Sequence, residues 1–396
     1  MATWRARYCR EQNALCSWFA PNLNKEERSM NIGIPKERRD LERRVGLPPR
    51  GVELLVRAGH TCYIEKEAGL ASGFTDYHYE RAGGRIVYSG EEVYGRSDLI
   101  AKAVRPTEDE VAWLREGQII AGFMHLAAAR RQRVETMLEK RITVIAYESI
   151  EMADGTLPVL RTMSEVAGRM APQLASTFLQ SDHGGRGVLL SGVPGIPAAR
   201  VVIVGGGVLG MNAARTFLGL GADVFVLDRD LDRLREIDQM FNGCITTLVS
   251  YPFNIAYVAR FAEVLIGAVL IPGSRAPIVV TRKMLRSMKT GAVILDFSID
   301  QGGCVETSRP TTMRDPTYIE EGVVHFCVPN VPGSVPRTAT HAFSNAVWPY
   351  LRRLVEMDVD QALEEMPALA RGVVVRDGEI VNEALSAAYY AGTESE

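Results

Sequence analysis

Short apolar runs alternate with segments of helical spacing along most of the sequence. From Met30, NIGIP (31–35) reads as a strand stopped by Pro35, and Pro49 to Ala58 as a helix closed by the Gly59-His60 turn. Further strands are expected at TCYIE (61–65), RIVYS (85–89), DLIAKAV (98–104), QIIAGFM (118–124) and ITVIAYE (142–148), with helices near Glu108–Leu114 and Arg130–Glu139. A long helical pattern runs from Leu157 to Leu179, with an interruption expected at Pro172. The Gly/Pro-rich segment 182–199 reads as loop, and a second alternating block starts at Arg200. Its strands are VVIVG (201–205), VFVLD (224–228), TTLVS (246–250), VLIGAV (264–269), AVILDFS (292–298) and VVHFC (323–327). After Ser334 the pattern is helical again through His341–Met357.

Strands that alternate with helices build βαβ units and mainly parallel sheets. Two such blocks in 396 residues predict an α/β protein with two Rossmann-like domains and a cleft between them. The expected division is a substrate domain from 30–159 and 336–396, interrupted by an inserted dinucleotide domain at 160–335. Residues 1–29 lack both this alternation and the apolar core of a secretory signal, and are expected to be a disordered or mis-called extension.

Composition narrows the class. Net charge is −3, so no overall basic field points to nucleic acid. No apolar run approaches the roughly 18–20 residues of a membrane helix. The six cysteines are scattered without CxxC, which points to reduced thiols in a cytoplasmic protein and to no metal site. The 36 glycines are the informative excess.

Three of them sit in VVIVGGGVLGMNAARTFLGLGADVFVLD (201–228). An apolar strand runs into Gly205-x-Gly207-x-x-Gly210, a helix follows, and the next strand ends in Asp228, eighteen residues after Gly210. Gly205 permits the tight turn, Gly207 lets backbone approach a pyrophosphate, and Gly210 lets helix and strand pack closely. Val208 and Leu209 begin the helix whose free N–H groups face the phosphates. The Asp228 carboxylate accepts from ribose hydroxyls and repels a 2′-phosphate, which favours NAD over NADP, although Arg229 softens that preference. Gly267, Gly273, Gly302 and Gly303 lie near the ends of strands around the same expected cofactor.

Beyond this loop the sequence contains GIPKE (33–37), ERRVG (42–46), FMHLAA (123–128), MSEVAGR (163–169), GAVLIPG (267–273), IDQGGCVETSRPTT (299–312), VPNVPGSVPRTAT (328–340) and PALARG (367–372). With these collinear motifs the sequence resembles the alanine dehydrogenase family, and more distantly the nucleotide-binding subunit of proton-translocating transhydrogenase. The resemblance implies NAD-dependent interconversion of an L-amino acid with a 2-oxo acid plus ammonium, and a homo-oligomer, commonly a hexamer.

It also assigns roles. Arg44 in ERRVG is the carboxylate clamp. His125 follows an apolar strand at its carboxyl end, where ligands gather in open α/β sheets, and is the acid/base. Asp300, read as the end of a strand, assists at the nicotinamide face, with Asp296 as its mid-strand rival. Asn330 is a substrate-side group. Ser164, Ser250, Val269 and Leu270 contact the cofactor, and Arg233 replaces a usual lysine near the adenosine. The other five histidines read as structural.

One position departs from the family. The usual K-V-K-E-P reads Lys102-Ala103-Val104-Arg105-Pro106, so Val104 stands where the family's catalytic lysine binds the substrate oxygen. Losing such a polarising group costs about 10²–10³ in rate. Lys102, two residues away on a strand, is expected on the same side and is the candidate stand-in. Lys102, Arg105 and Arg161 together suggest a rebuilt cationic pocket for a larger or more acidic 2-oxo or 2-imino acid. The alternatives are an imine or ketimine reductase, another C–N oxidoreductase, or a non-catalytic NAD-binding homologue.

Overall fold

The computed structural model describes residues 29–271 and 275–391. The expected N-terminal extension lies almost wholly outside the described residues, as does Gly273. Six strands come first: β1 (Asn31–Ile34), β2 (Thr61–Glu65), β3 (Arg85–Val87), β4 (Leu99–Val104), β5 (Ile119–Phe123) and β6 (Thr143–Ala146). Then follow β7 (Arg200–Val204), β8 (Asp223–Asp228), β9 (Thr246–Val249), β10 (Val264–Gly267), β11 (Val293–Asp296), β12 (Thr317–Glu320) and β13 (Val323–Phe326). The last two are β14 (Val373–Arg376) and β15 (Glu379–Ile380).

They form two sheets. The first has the order β15-β14-β6-β5-β4-β1-β2-β3, and the second β12-β13-β11-β10-β7-β8-β9. Within each, six parallel strands follow the doubly wound order 3-2-1-4-5-6, whose direction reverses between β1 and β4 and between β7 and β10. Ligands bind outside the carboxyl ends of strands at such reversals. The strands read as near-continuous apolar runs because both faces are covered: in β7, Val201, Val202, Ile203 and Val204 are all at most 1% exposed. Burial of each such residue contributes about 1.5–3 kcal/mol.

The helices Pro158–Phe178 and Pro336–Glu356 pack on each other and join the two halves. The first is continuous through Pro172, where an interruption was expected. Its Met163, Ala167, Gly168, Ala171 and Ala175 are all buried, and packing on that scale overrides the roughly 3 kcal/mol penalty of an internal proline. The antiparallel strands β12, β14 and β15 carry no strong apolar alternation and were not anticipated. β14 pairs with β6, so a segment that follows the second sheet in sequence completes the first.

Two local readings change. β11 ends at Asp296, and Asp300 lies beyond it in a 3₁₀ turn, Phe297–Gln301. The β4–β5 ladder shifts register between Ala101 and Val104, so strict two-residue alternation fails between Lys102 and Val104.

Candidate active site

The glycine loop connects β7 to the helix Val208–Gly219. Gly205 has φ +109°, and a Cβ there would lie 2.3 Å from the Ala268 carbonyl oxygen, so β7 and β10 approach each other through this glycine. At Gly210 a Cβ would meet Gly205 O at 1.9 Å, which fixes the close helix–strand packing. At Gly207 it would meet nothing within 4 Å: this position faces open space at the helix N-terminus, beside Val208 and Leu209. Asp228 braces the loop by accepting the Gly206 N–H at 2.7 Å and the Asp230 N–H at 3.0 Å, one on each carboxylate oxygen. Each oxygen keeps a second lone pair for a ribose hydroxyl.

The other expected cofactor contacts surround this cradle. The Ser250 N–H donates to Asp228 O. Arg233 packs its stem against Gly206 and pairs with Glu236 at 2.6 Å. The Val269 N–H donates to Ser298 Oγ, while Leu270 beside it is 52% exposed. Ser164 lies one helical turn before Gly168, where a Cβ would meet Leu209 O at 2.4 Å, so its helix presses on the glycine-loop helix. An open anion cradle, a ribose acceptor and an exposed apolar shelf at the switch point fit a pyridine dinucleotide.

The substrate-side groups come from the carboxyl ends of both sheets: Arg44 and His125 follow β1 and β5, and Asp300 and Asn330 follow β11 and β13. Arg44 is 4% exposed, and Glu42 fixes its fork through Nε–Oε1 (2.8 Å) and Nη2–Oε2 (2.6 Å) contacts. Burial would raise the Glu42 carboxyl, but Arg44 holds it below its ordinary value. Asn330, which follows β13, donates its amide to Glu42 Oε2 at 2.9 Å and thereby ties the two halves together. His125 has a left-handed backbone (φ 42°). The Glu148 carboxylate accepts the N–H groups of Met124 (3.0 Å) and His125, and lies 3.8 Å from His125 Nδ1. The imidazole is half exposed and stacks on Phe123, over which Arg44 also sits.

Asp300 faces the same space. Surrounding protein raises its carboxyl above the ordinary value, while His125, the Asn330 N–H, Arg44 and Arg105 pull it back down. Arg44, His125, Asp300 and Asn330 therefore converge at the seam between the sheets. Asp296 is a satisfied structural carboxylate: it accepts from the N–H groups of Ser298, Cys304 and Val305 and from the Ser308 hydroxyl.

Lys102 does not join them. Its side chain is 0% exposed, 2.6 Å from Glu110 and 3.0 Å from Glu37. Burial alone would lower this ammonium, but the two carboxylates more than offset that and raise it. The expected stand-in for the missing lysine is instead held in a buried ion cluster. Arg161 is paired along its own helix with Glu165 at 3.1 Å. Glu42 and Glu37 lie inside the motifs ERRVG and GIPKE without a role assigned to them, while Glu110 and Glu148 are isolated glutamates that no motif marks. The Glu42-x-Arg44 spacing was the available signal for the first.

A family model for alanine dehydrogenase/PNT, N-terminal domain, matches residues 33–167, and one for the C-terminal domain of the same family matches 171–383. The alanine dehydrogenase of Methanococcus maripaludis is 46% identical over 361 residues, covering 91% of this chain and 96% of its own. That of Geobacillus stearothermophilus is 45% identical with the same coverage. A solved L-alanine dehydrogenase superposes with a TM-score of 0.88 at 43% identity, over 91% of this chain and 99% of that one. A transhydrogenase structure from Sinorhizobium meliloti gives 0.75 at 25% identity, over 89% and 99%.

Proposed function

The protein belongs to the alanine dehydrogenase/PNT family, and on that premise we propose that it is an NAD-dependent amino-acid dehydrogenase that interconverts an L-amino acid with a 2-oxo acid and ammonium. The observation that carries this reading is the convergence of Arg44, His125, Asp300 and Asn330 across the seam from an open glycine cradle.

Gly205, Gly207, Gly210 and Asp228 would hold NAD, with Ser164, Ser250, Arg233, Val269 and Leu270 around it. When bound, NAD takes up hydride from the amino-acid carbon or returns it. Arg44, its fork already oriented by Glu42, binds the substrate carboxylate. His125 moves a proton to or from the substrate nitrogen or oxygen, with Glu148 fixing its backbone and facing Nδ1. Asp300, as the carboxylate, stabilises positive charge that develops at the imidazole and at nitrogen. The buried contacts of Arg44 and Asn330 orient substrate rather than transfer protons.

Val104 leaves the substrate oxygen without the lysine of the family motif. The identity of the 2-oxo acid is therefore read from other cations near the site. We also read the protein as a cytoplasmic homo-oligomer, a hexamer by resemblance. The free thiols of Cys62, Cys244, Cys304 and Cys327 and the exposed aromatic group Tyr251, Phe253 and Tyr257 support this. Among the described residues no helix is long and apolar enough to cross a membrane.

The test is NADH oxidation with ammonium and a panel of 2-oxo acids. Turnover that requires both ammonium and a 2-oxo acid supports the reading. Tight NADH binding without turnover on any member would overturn it in favour of a non-catalytic binder.

A further inference from the structure

Beside the seam lies a cavity of about 540 Å³ whose walls carry Arg39, Arg105, Arg130 and Arg133 against only Glu108 and Asp109. The arginines come from three separate places: the loop after β1, the end of β4, and the helix Arg131–Glu139 with the residue before it. Their charges are unevenly matched. Glu108 takes Arg130 at 2.8 Å and reaches Arg133 only at 3.8 Å. Arg39 has no side-chain hydrogen bond or ion pair among the described residues. Arg105 makes one long contact, Nη1 to the His125 carbonyl oxygen at 3.4 Å. The Nε–H groups of Arg105 and Arg133 are both buried without an acceptor.

A buried donor left unpaired is costly, more so when charged, and like charges at close quarters add to that cost. Burial and the neighbouring Arg39 and Arg133 depress Arg105 to about 10. Arg133 is lowered by burial and by Arg39 and Arg130. An oxyanion with several lone pairs satisfies these forks together.

The position of the cavity says which oxyanion. Arg105 touches the backbone of His125 and acts electrostatically on Asp300, so the cavity opens beside the reacting groups. Arg44 already takes the carboxylate next to the reacting carbon. We propose that the Arg39–Arg105–Arg133 cavity binds the distal acid group of the substrate, which makes that substrate a 2-oxo diacid and its amino acid an acidic one. This rests on the dehydrogenase reading above. A free anion such as phosphate shares the chemistry and is the competing source.

The test compares kcat/KM for oxaloacetate and 2-oxoglutarate with that for pyruvate and 2-oxobutyrate, using NADH and ammonium, in the full-length protein and in Arg133→Gln and Arg39→Gln. At least one diacid is expected to exceed its monoacid counterpart by about tenfold or more, a ratio that falls toward one in either variant. NADH affinity, measured by fluorescence, reports that each variant is folded. Both diacids no better than their monoacids, or a ratio unmoved in a variant that binds NADH normally, overturns the proposal. Phosphate that activates pyruvate turnover while the diacids stay no better than pyruvate assigns the cavity to a free anion and overturns it too. If no 2-oxo acid turns over, the dehydrogenase reading fails separately. Calorimetric binding of 2-oxoglutarate, lost in Arg133→Gln, then upholds the oxyanion site, and absence of binding overturns it.

Discussion

The Lys102 ammonium and the Glu110 carboxylate meet at 2.6 Å with neither side chain exposed at all. Glu37 closes the cluster from the loop after β1 and also accepts the Ala103 N–H at 2.6 Å. This ties the β1 loop to β4 at the point where the first sheet reverses direction. Lys102 therefore shapes the site from behind. Lys102→Met is expected to destabilise the fold by about 3–5 kcal/mol, because two carboxylates lose their buried counter-charge. Chemical denaturation measures this. Burial opposes the lowering of Glu110, but Lys102 holds it below 4.5, so its share of stability is present above that pH and lost on acidification.

Val104→Lys tests the departure from the family motif directly. Val104 ends β4 opposite Phe123 and is only partly buried, so a longer side chain has an outlet. The variant is expected to raise kcat/KM for pyruvate by roughly 10–100-fold, as a recovered polarising group should. Steady-state kinetics checks it.

Asp300 is expected to set the acid limb of activity. Desolvation by the surrounding protein raises its carboxyl above 3.8, so the limb of kcat/KM is expected at higher pH than an ordinary aspartate would give, with activity rising as the carboxylate forms. Arg105 opposes that rise. Arg105→Gln removes a stabilising cation and moves the limb further toward neutral pH. Asp300→Asn removes the limb and lowers kcat by about 10²-fold or more. A pH–rate series on the three proteins reads all of this.

Glu148→Gln keeps the shape but weakens one charge-assisted bond to the backbone of Met124 and His125 and loses the other, because the two N–H groups use separate oxygens and an amide NH2 cannot accept. A loss of about 1–3 kcal/mol in this local hold lets the strained His125 turn relax, so kcat falls roughly tenfold or more. NADH affinity is unchanged, because the cradle lies on the other sheet.

Asp228→Asn leaves the Gly206 N–H with a neutral acceptor and removes the charge that excludes a 2′-phosphate. The KM for NADH is expected to rise about tenfold, and the preference over NADPH to shrink by at least as much. Initial rates with the two cofactors measure it.

The two-sheet architecture was legible because parallel strands covered on both faces are written as apolar runs. The cradle was legible because Gly205, Gly207, Gly210 and Asp228 act through spacing along one stretch of sequence. Arg44, His125, Asp300 and Asn330 entered through motifs, and they meet. What local pattern does not encode is which distant groups come together. Lys102 was placed by a two-residue period that the bulge in β4 breaks. Its partners Glu37 and Glu110, and the grouping of Arg39 with Arg105 and Arg133, arise only when the β1 loop, the β4 end and a later helix are folded side by side. Pro172 shows the same limit for backbone, where packing on both sides outweighed a local helix breaker.

The hydrogen bond from Asn330 to Glu42 has a kinetic consequence. It spans the seam, and Glu42 is the same group that aims the Arg44 fork. Any motion that parts the two halves must break it, at a cost of about 1.5–3 kcal/mol for a bond to a charged acceptor. It also loosens the hold on Arg44 in the same motion. With Arg44 as the carboxylate clamp of the proposed function, departure of product and widening of the cleft are expected to be one event rather than two.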